Sequence, residues 1–282
     1  MFGAGALVAG CSKGADTTAP SGHGLPSASP TTPRPSGTAP NDPLPAVHRW
    51  HPDPNDLAPL CKLVAVRRLE RAGNGPGRAL QVVDAEYGGL LTDSASVLVV
   101  TRSWVRRAGG VVAGGHTYDV RLSQYASTWR VTAVHPSHPG AAALRLSRAA
   151  RLVLASNAIT LPPAGRADVR SGRIHDSVLR AMLQMAASYR IDVSVVRSGH
   201  PLHVFGTDRL SDHPQGRAFD TWAIDGKSVV DAGTPRTLIE DYMRAAAAAG
   251  SYNVGGPYLL GAAPQWFSDA THHDHVHAGF TT

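Results

Sequence analysis

The sequence has no block of consecutive basic residues, although its net charge is positive. The 282 residues carry 27 Lys and Arg against 21 Asp and Glu, a formal net charge of +6. No Lys/Arg run reaches the roughly five to eight residues typical of a nucleic-acid-binding patch, so we expect no nucleic-acid partner. The scattered excess suits an anionic partner such as an acidic wall polymer or a phospholipid surface, or it serves solubility alone.

Cysteines and aromatic residues are scarce as well. The chain has 2 cysteines, Cys11 and Cys61, and 6% of its residues are aromatic. Cys61 lies in LAPLCKLVAV, an apolar segment with helical spacing. We therefore expect Cys61 to be a buried free thiol rather than a reactive one.

The stretch that ends at Cys11 resembles the lipobox of bacterial lipoproteins. It reads Leu7-Val8-Ala9-Gly10-Cys11, an apolar segment closing on small residues and far too short to cross a bilayer as a helix. The resemblance implies cleavage before Cys11, lipid on Cys11, and an extracytoplasmic protein anchored to the membrane and facing the cell wall. Because no basic residues precede the stretch, we expect residues 1–11 to be a truncated signal peptide whose natural start lies upstream. The alternative is that Cys11 is an ordinary residue of a tail.

The rest of the chain divides by composition. Residues 12–55 are rich in Pro, Ser, Thr and Gly, which predicts a disordered tether. The remaining length favours two domains. We expect an α+β domain over 56–140, a connector over 141–170 and a second domain over 171–282.

The first domain is expected to begin with helices and to continue as an antiparallel meander. Asp56 would cap a helix, and residues 75–92 predict a second helix. Alternating runs then predict strands over 95–107, 116–125 and 128–136. Residues 115–136 resemble the last hairpin of the cone-shaped nuclear-transport-factor-2 superfamily. No catalytic constellation is visible here, so packing or partner binding is the expected role.

The second domain alternates helices and strands. Residues 171–190 and 234–250 predict amphipathic helices, the first with Ile174, Val178, Met182 and Met185 on its buried face. Strands are expected over 191–198, 217–226 and 274–280. An antiparallel sheet with helices packed on it would follow, which makes the whole chain α+β.

Two segments of this domain contain side chains that bind metals. SDHPQGRAFD (211–220) places His213 seven residues before Asp220 across a turn that contains Gly216. THHDHVHAGF (271–280) contains four histidines. Because alternate residues of a strand share a face, His275 and His277 point the same way. Imidazole and carboxylate are ligands that zinc prefers, so the two segments together predict a zinc site.

These segments resemble the zinc D-alanyl-D-alanine carboxypeptidases and related murein peptidases. The group includes lysostaphin-type endopeptidases and the hedgehog signalling domain, and the resemblance covers about 171–280. It implies that His213, Asp220 and His277 hold zinc. The acid/base would be Asp274, as in the carboxypeptidase branch, or His275, as in other branches. His272 and His273 are expected to be exposed loop residues.

The chain departs from the carboxypeptidase branch before the histidine motif. That branch carries Ser-Gly-Tyr-Arg, with the Arg on the oxyanion or the substrate carboxylate. This chain reads Ser198-Gly199-His200-Pro201. Arg197, Arg209 or His200 could replace the missing Arg, and loss of one oxyanion donor costs on the order of 10²–10³ in rate.

Three functions follow from these patterns. The leading one is a zinc-dependent peptidase-like surface lipoprotein acting on peptidoglycan stem peptides. The second is a non-catalytic zinc-stabilised module that binds cell-wall peptide or a protein partner. In the third, the first domain is the binding module and the zinc domain is a scaffold.

Overall fold

A single amphipathic helix, α1 (Pro59–Gly73), opens the regular structure. The computed structural model describes residues 43–282, so the predictions for Cys11, for the signal peptide and for the tether up to residue 42 lie outside the described residues. The prediction that Asp56 caps α1 is wrong. The N-cap residue is Ala58, which makes no side-chain cap, and Asp56 forms an ion pair with Lys62 one turn into the helix. Cys61 is a fully buried free thiol, as predicted.

The segment predicted as a second helix is a strand. Residues 78–90 form β1 (Arg78–Leu90), which pairs along its length with β2 (Ser94–Arg107). A register shift between Val82 and Asp84 interrupts the alternation of the strand. Residues on the same face of the strand are therefore not always two positions apart. In the sequence, this uneven spacing resembles the spacing of apolar residues in a helix. Pairing along the whole strand with β2 decides the conformation.

The first sheet contains only antiparallel pairs among its five strands. Its order is β1-β2-β4-β5, with β3 paired to β2. The three strands predicted after residue 94 are confirmed. The remaining strands of this sheet are β3 (Gly110–Gly114), β4 (Thr117–Tyr125) and β5 (Thr128–Pro136). Helix α1 packs on one face through a core that includes Cys61, Val66, Tyr87 and Val97.

The second sheet is built from shorter strands and is mixed. Its order is β11-β10-β12-β8-β7-β6, with β9 paired to β8. The pairs β6–β7 and β10–β11 are parallel, and the others are antiparallel. These strands are β6 (Ile159–Thr160), β7 (Ile191–Val193), β8 (Ala218–Ile224), β9 (Lys227–Ser228), β10 (Asn253–Gly255), β11 (Trp266–Phe267) and β12 (Val276–Gly279).

Helices cover the second sheet. They are α2 (Arg148–Ala155), α3 (Pro163–Arg170), α4 (Asp176–Met185) and α5 (Arg236–Ala248), and a 3-10 turn (Thr271–His273) leads into β12. The predicted 171–190 helix is shorter, but Val178, Met182 and Met185 are fully buried in the core, as expected. The fold class is therefore α+β, as predicted. Among residues 43–282, no helix is both long enough and apolar enough to cross a membrane.

The two sheets meet at the beginning of β12. The Tyr87 N–H in β1 donates to Asp274 Oδ2 at 3.2 Å, and the Leu90 N–H donates to Thr271 Oγ1 at 3.1 Å. The Ser194 hydroxyl, which follows β7, donates to Glu86 Oε2 at 2.5 Å. Strand β1 is therefore bound to the segment that carries the histidine cluster.

Candidate metal centre

His213, Asp220 and His277, which were expected to hold zinc, lie together in the second sheet. Asp220 is in β8 and His277 is in β12, and the antiparallel register places them directly opposite each other. Opposed residues of neighbouring strands point to the same face, so strand pairing alone brings these two side chains together. His213 reaches them from the loop that precedes β8. All three residues are buried.

The loop that carries His213 requires a glycine. Gly216 has a φ of 72°, and a Cβ at this position would lie 2.1 Å from the Arg173 carbonyl oxygen. The Gly216 N–H donates to the His213 carbonyl oxygen at 2.8 Å, which closes the turn. Only glycine combines this backbone conformation with the close approach. The glycine of the sequence motif therefore fixes the turn from which His213 reaches Asp220.

The three side chains form a triangle of ligand atoms. His213 Nε2 lies 3.0 Å from Asp220 Oδ2 and 3.2 Å from His277 Nδ1. His277 Nδ1 lies 2.9 Å from Asp220 Oδ1. Tetrahedral zinc ligands with bonds of about 2.0–2.1 Å are separated by about 3.3 Å. The triangle is therefore close to the size that a zinc ion needs.

Hydrogen bonding and burial determine which ring nitrogens face the triangle. His213 Nδ1 lies 3.0 Å from the Val196 carbonyl oxygen, to which only a protonated nitrogen can donate. Its other ring nitrogen, Nε2, is the one directed at Asp220 and His277. Burial lowers the pKa of His277 to about 4, so its ring is neutral at pH 7. A divalent cation bound between these atoms would be held by two ring nitrogens and one carboxylate oxygen.

Asp220 is ionised despite its burial. Burial alone would raise the pKa of its carboxyl group, but the nearby rings of His213 and His275 hold that pKa well below the usual range. A buried carboxylate is stable only when it is paired or binds a metal. The charge state of Asp220 therefore suits a metal ligand.

His200 lies against the triangle. Its ring stacks on His213, with centroids 4.3 Å apart and an interplanar angle of 14°. His200 Nδ1 lies 2.9 Å from the Pro201 carbonyl oxygen, and burial together with His213 lowers the pKa of His200 well below its usual value. The neutral ring therefore carries its proton on Nδ1 and presents Nε2 as an acceptor. This tautomer suits a fourth metal ligand better than the oxyanion donor expected from the sequence.

His275 faces the triangle from the same side as His277, as strand alternation predicts. Its Nδ1 lies 2.7 Å from Asp274 Oδ1, and its Nε2 lies 3.9 Å from Asp220 Oδ1. Burial alone would lower the pKa of His275, but the carboxylates of Glu86 and Asp220 raise it to about 10. In the metal-free protein the ring is therefore an imidazolium at pH 7.

Asp274 contacts residues of the first sheet and of helix α1. The first sheet, α1 and the segment that precedes α1 are together called the first sheet region. Its Oδ2 lies 2.8 Å from Lys62 Nζ and accepts the Tyr87 N–H, and its Oδ1 accepts the bond from His275. Burial alone would raise the pKa of Asp274, but Lys62 and His275 hold it well below the usual range. Asp274 is therefore a carboxylate that orients His275. The sequence offered both residues as the acid/base, and this geometry favours His275.

Two residues of the first sheet region lie at this site but were not predicted from the sequence. Glu86 in β1 and Lys62 in α1 are both buried beside the segment 271–277. A lysine and a glutamate within an otherwise apolar pattern are the only sequence signal, and that signal does not say which surface they meet. Burial raises the pKa of Glu86 well above its usual value.

His272 and His273 are half-buried rather than exposed, which corrects the prediction. His272 Nδ1 lies 2.7 Å from Asp269 Oδ1, within the turn. His273 Nε2 accepts the Leu57 N–H at 3.0 Å, which ties the turn to the first sheet region. Among the described residues, three groups of side chains each have ligand atoms within 4.8 Å of one another and could hold a metal ion. They are His200–His213–Asp220, Glu86–Asp220–His275 and Asp56–His273–Asp274.

A cavity of about 580 Å³ opens over the triangle. Its walls come from both sheets and from the loop around Phe205, which packs so closely on Gly89 that an added Cβ would lie 2.1 Å from the Phe205 Cβ. Arg209 lines the cavity and is exposed. Arg197, the other candidate for the missing Arg, is bound to Asp168 at 3.3 Å and to two backbone carbonyls. Arg209 is therefore an arginine that a ligand in this cavity can reach.

Comparison of the chain with protein-family models, curated proteins and solved structures found no match. The chemistry of the site itself therefore has to support any function. Histidine and aspartate side chains that could hold a metal ion meet in a buried cluster at the base of an open cavity.

Proposed function

We propose that this chain is a zinc-dependent peptidase that acts on peptidoglycan stem peptides. The observation that carries the proposal is the triangle of His213 Nε2, Asp220 and His277 Nδ1, with separations of 2.9–3.2 Å. Two imidazoles and one carboxylate are a common ligand set of catalytic zinc, which keeps a further position for water or substrate. The cavity above the triangle gives a peptide access to that position.

The side chains around the triangle have distinct roles in this proposal. Bound zinc supplies an activated water at neutral pH and polarises the scissile carbonyl. A bound dication would favour the neutral form of the His275 ring, which would then take up a proton at Nε2 and return it to the leaving amine while Asp274 holds the opposite ring nitrogen. His200 would serve as a fourth metal ligand through its Nε2. Arg209 binds the carboxylate of the stem peptide.

The substrate class and the location rest on sequence. The motif formed by 211–220 and 274–277 resembles murein peptidases, and the lipobox-like stretch that ends at Cys11 favours a lipoprotein facing the cell wall. Peptidoglycan is the polymer that such a protein meets. Under this proposal the membrane contact is a lipid on Cys11. Cys11→Ser is then expected to move the protein from the membrane fraction to the soluble fraction, and retention at the membrane would argue against the anchor.

A zinc-stabilised binding module is the second candidate. It is favoured by Pro201, which stands where the carboxypeptidase branch has an Arg. In the structure the Pro201 carbonyl accepts a bond from His200, and Arg209 is exposed at the cavity rather than held near the triangle. Such a module would bind stem peptide in the same cavity without cleaving it.

One experiment separates these two functions. Purified protein is loaded with zinc, its metal content is measured by mass spectrometry, and it is incubated with purified peptidoglycan. A peptidase releases new amines and shortened stem peptides, whereas a binding module only sediments with the polymer. His277→Ala is expected to lose zinc and product. The matched control is His135→Ala, since His135 is an exposed residue of β5.

A further inference from the structure

Strand β1 of the first sheet places a carboxylate beside the acid/base histidine of the second. Successive residues of a strand point to opposite faces. Tyr87 faces α1, where its hydroxyl donates to the Leu57 and Ala58 carbonyls. Glu86 therefore points the other way, toward the second sheet. There Glu86 Oε2 accepts the Ser194 hydroxyl at 2.5 Å and lies 3.9 Å from His275 Nδ1.

The first sheet region also holds the second carboxylate at this ring nitrogen. Asp274 Oδ1 accepts the bond from His275 Nδ1 at 2.7 Å, and Asp274 Oδ2 is bound by Lys62 Nζ and by the Tyr87 N–H. Both groups that bind Oδ2 come from the first sheet and its helix. Residues of α1 and β1 thus fix the groups that contact Nδ1 of the His275 ring, and Nε2 is left facing Asp220.

Packing alone does not explain Glu86. It is only 1% exposed, and among residues 43–282 its Oε1 has no hydrogen-bond partner. Leu98, the residue paired with Glu86 in β2, fills the neighbouring position with an apolar side chain. Burial of a carboxylate without full pairing is costly. A leucine in place of Glu86 would avoid this cost, so the carboxylate serves another purpose.

We infer that Glu86 is a positioning residue that, with Asp274, orients His275 so that Nε2 points into the metal centre. The first sheet is then a permanent part of the active site rather than a separate binding module. This inference rests on the proposed function for the catalytic role of His275. The orientation of the ring can be measured without any activity.

The test uses Glu86→Gln in the full chain. The glutamine keeps the size of the side chain and an acceptor for Ser194, but it replaces the carboxyl group that lies 3.9 Å from His275 Nδ1 with an amide. We expect kcat on stem peptide to fall by about 10- to 100-fold, the usual cost of losing such a supporting group. KM and zinc content stay within about twofold, because Glu86 is not itself one of the three ligands.

Asp119→Asn is the matched control. Asp119 belongs to the same sheet, is equally buried, and accepts a bond from the Ser96 hydroxyl at 2.7 Å, as Glu86 does from Ser194. It makes an ion pair with Arg121 rather than with the histidine cluster. The control is expected to leave kcat unchanged. Ser194→Ala, which removes only the hydroxyl that holds Glu86, should show a smaller loss in the same direction.

Nuclear magnetic resonance of the histidine ring nitrogens provides the second measurement. In wild type the His275 Nδ1–H should give a downfield signal of a strong hydrogen bond, and Glu86→Gln should shift it while Asp119→Asn does not. An unchanged His275 signal in Glu86→Gln overturns the inference, whether or not the protein cleaves peptide. So does an unchanged kcat in an active enzyme. Loss of a second equivalent of zinc in Glu86→Gln would make Glu86 a ligand and also overturn it.

Discussion

The two sheets of this protein differ in strand length and in how much of their chain lies in loops. The first has strands of up to 14 residues in one antiparallel meander, whereas the longest strand of the second, β8, has 7 residues. Long paired strands fix their side chains through a continuous backbone ladder, which makes a rigid wall. Short strands leave more of the chain in loops, and loops are where binding and catalytic residues concentrate. His200 and His213 lie in such loops, whereas Asp220 lies on β8 and His277 lies on β12.

The contrast has an exception where the sheets touch. Lys62 in α1 and Glu86 in β1 are ionisable residues, yet both are buried, and both contact residues of the second sheet or its loops. Each buried charge has a large desolvation cost that only its partners offset. The first sheet is therefore not a uniform apolar support. It places ionisable side chains beside the cluster in the second sheet, and the variants below test whether the cluster depends on them.

Variants of the zinc ligands should have the largest effect. His213→Ala, Asp220→Ala and His277→Ala each remove one corner of the triangle. Zinc contributes several kcal/mol to transition-state stabilisation, so we expect peptidase activity to fall by about 10⁴-fold. Assays of stem-peptide cleavage with zinc in excess check this. If one of these variants kept more than a tenth of wild-type activity, the substituted residue would not be a zinc ligand.

Lys62→Met should have the next largest effect, and it tests the exception in the first sheet. The methionine fills the space of the lysine but leaves Asp56 and Asp274 buried without their cation. Removal of one partner of a buried ion pair costs about 3–5 kcal/mol of unfolding free energy. Chemical denaturation at pH 7 measures the loss. Arg180→Met, which removes an exposed ion pair with Asp176 at 3.6 Å, is the matched control and should cost about 1 kcal/mol or less.

The pH dependence of this loss has a definite sign. Lys62 helps to hold the pKa of Asp274 below its unfolded value, so the ion pair contributes stability above the unfolded pKa of about 3.9. That contribution disappears as pH falls through the lower, folded pKa. The difference between wild type and Lys62→Met should therefore shrink in acid. A difference that stayed constant from about pH 5 down to about pH 1 would contradict the ion-pair account.

His277 and His275 should give the metal-free protein opposite pH dependences. The pKa of His277 is lowered to about 4, so its burial destabilises the fold as pH falls from about 6.5 toward 4. The pKa of His275 is raised to about 10, so its contribution is full below about 6.5 and is lost as pH rises toward 10. Unfolding of chelated protein checks both. His277→Gln should flatten the acid limb and His275→Gln the alkaline limb.

Arg209→Gln should have a smaller effect, on substrate binding alone. Arg209 lines the cavity and is exposed, so its pairing with a substrate carboxylate is screened by water. Such a pair contributes about 1 kcal/mol or less, which corresponds to a rise in KM of about fivefold or less with kcat unchanged. Steady-state kinetics on a stem peptide measure both constants. A fall in kcat by more than tenfold would instead make Arg209 an oxyanion donor.

The smallest effect is expected for the thiol of the first sheet region. Burial raises the pKa of Cys61 to about 12, so the reactive thiolate is rare at pH 8. In a Cys11→Ser background, Cys61 should react with a thiol reagent only after denaturant is added. Rapid reaction of the folded protein would show that α1 opens readily and that the first sheet region is not a rigid wall.

The sequence predicted which histidine and aspartate residues cluster better than it predicted their surroundings. The short motif with His213, Gly216 and Asp220 depends on local geometry, a tight turn followed by a strand, and such geometry is visible in residue spacing. His275 and His277 share a face because strand alternation is local too. By contrast, the conformation of residues 78–90 depends on pairing with β2, and a bulge at Val83 hides the alternation.

Contacts between the sheets could not be predicted for a physical reason. Glu86 and Ser194 are 108 positions apart, and Lys62 and Asp274 are farther still. Each is an ordinary polar residue in its own segment, and only packing of the whole chain shows which partner it meets. The choice between Asp274 and His275 as the acid/base depends on these contacts. Under the proposed function, the contacts of Lys62 and Tyr87 with Asp274 favour His275 over Asp274 as the acid/base.

X-ray absorption spectroscopy of the zinc-loaded protein, with Asp220→Ala beside it, tests the central claim most directly. We predict one zinc ion per chain with only nitrogen and oxygen neighbours at about 2.0–2.1 Å, including the outer-shell scattering of at least two imidazoles. Asp220→Ala should fail to retain this ion. Zinc that binds wild type and Asp220→Ala alike, or a spectrum without imidazole scattering, would contradict a centre built from His213, Asp220 and His277.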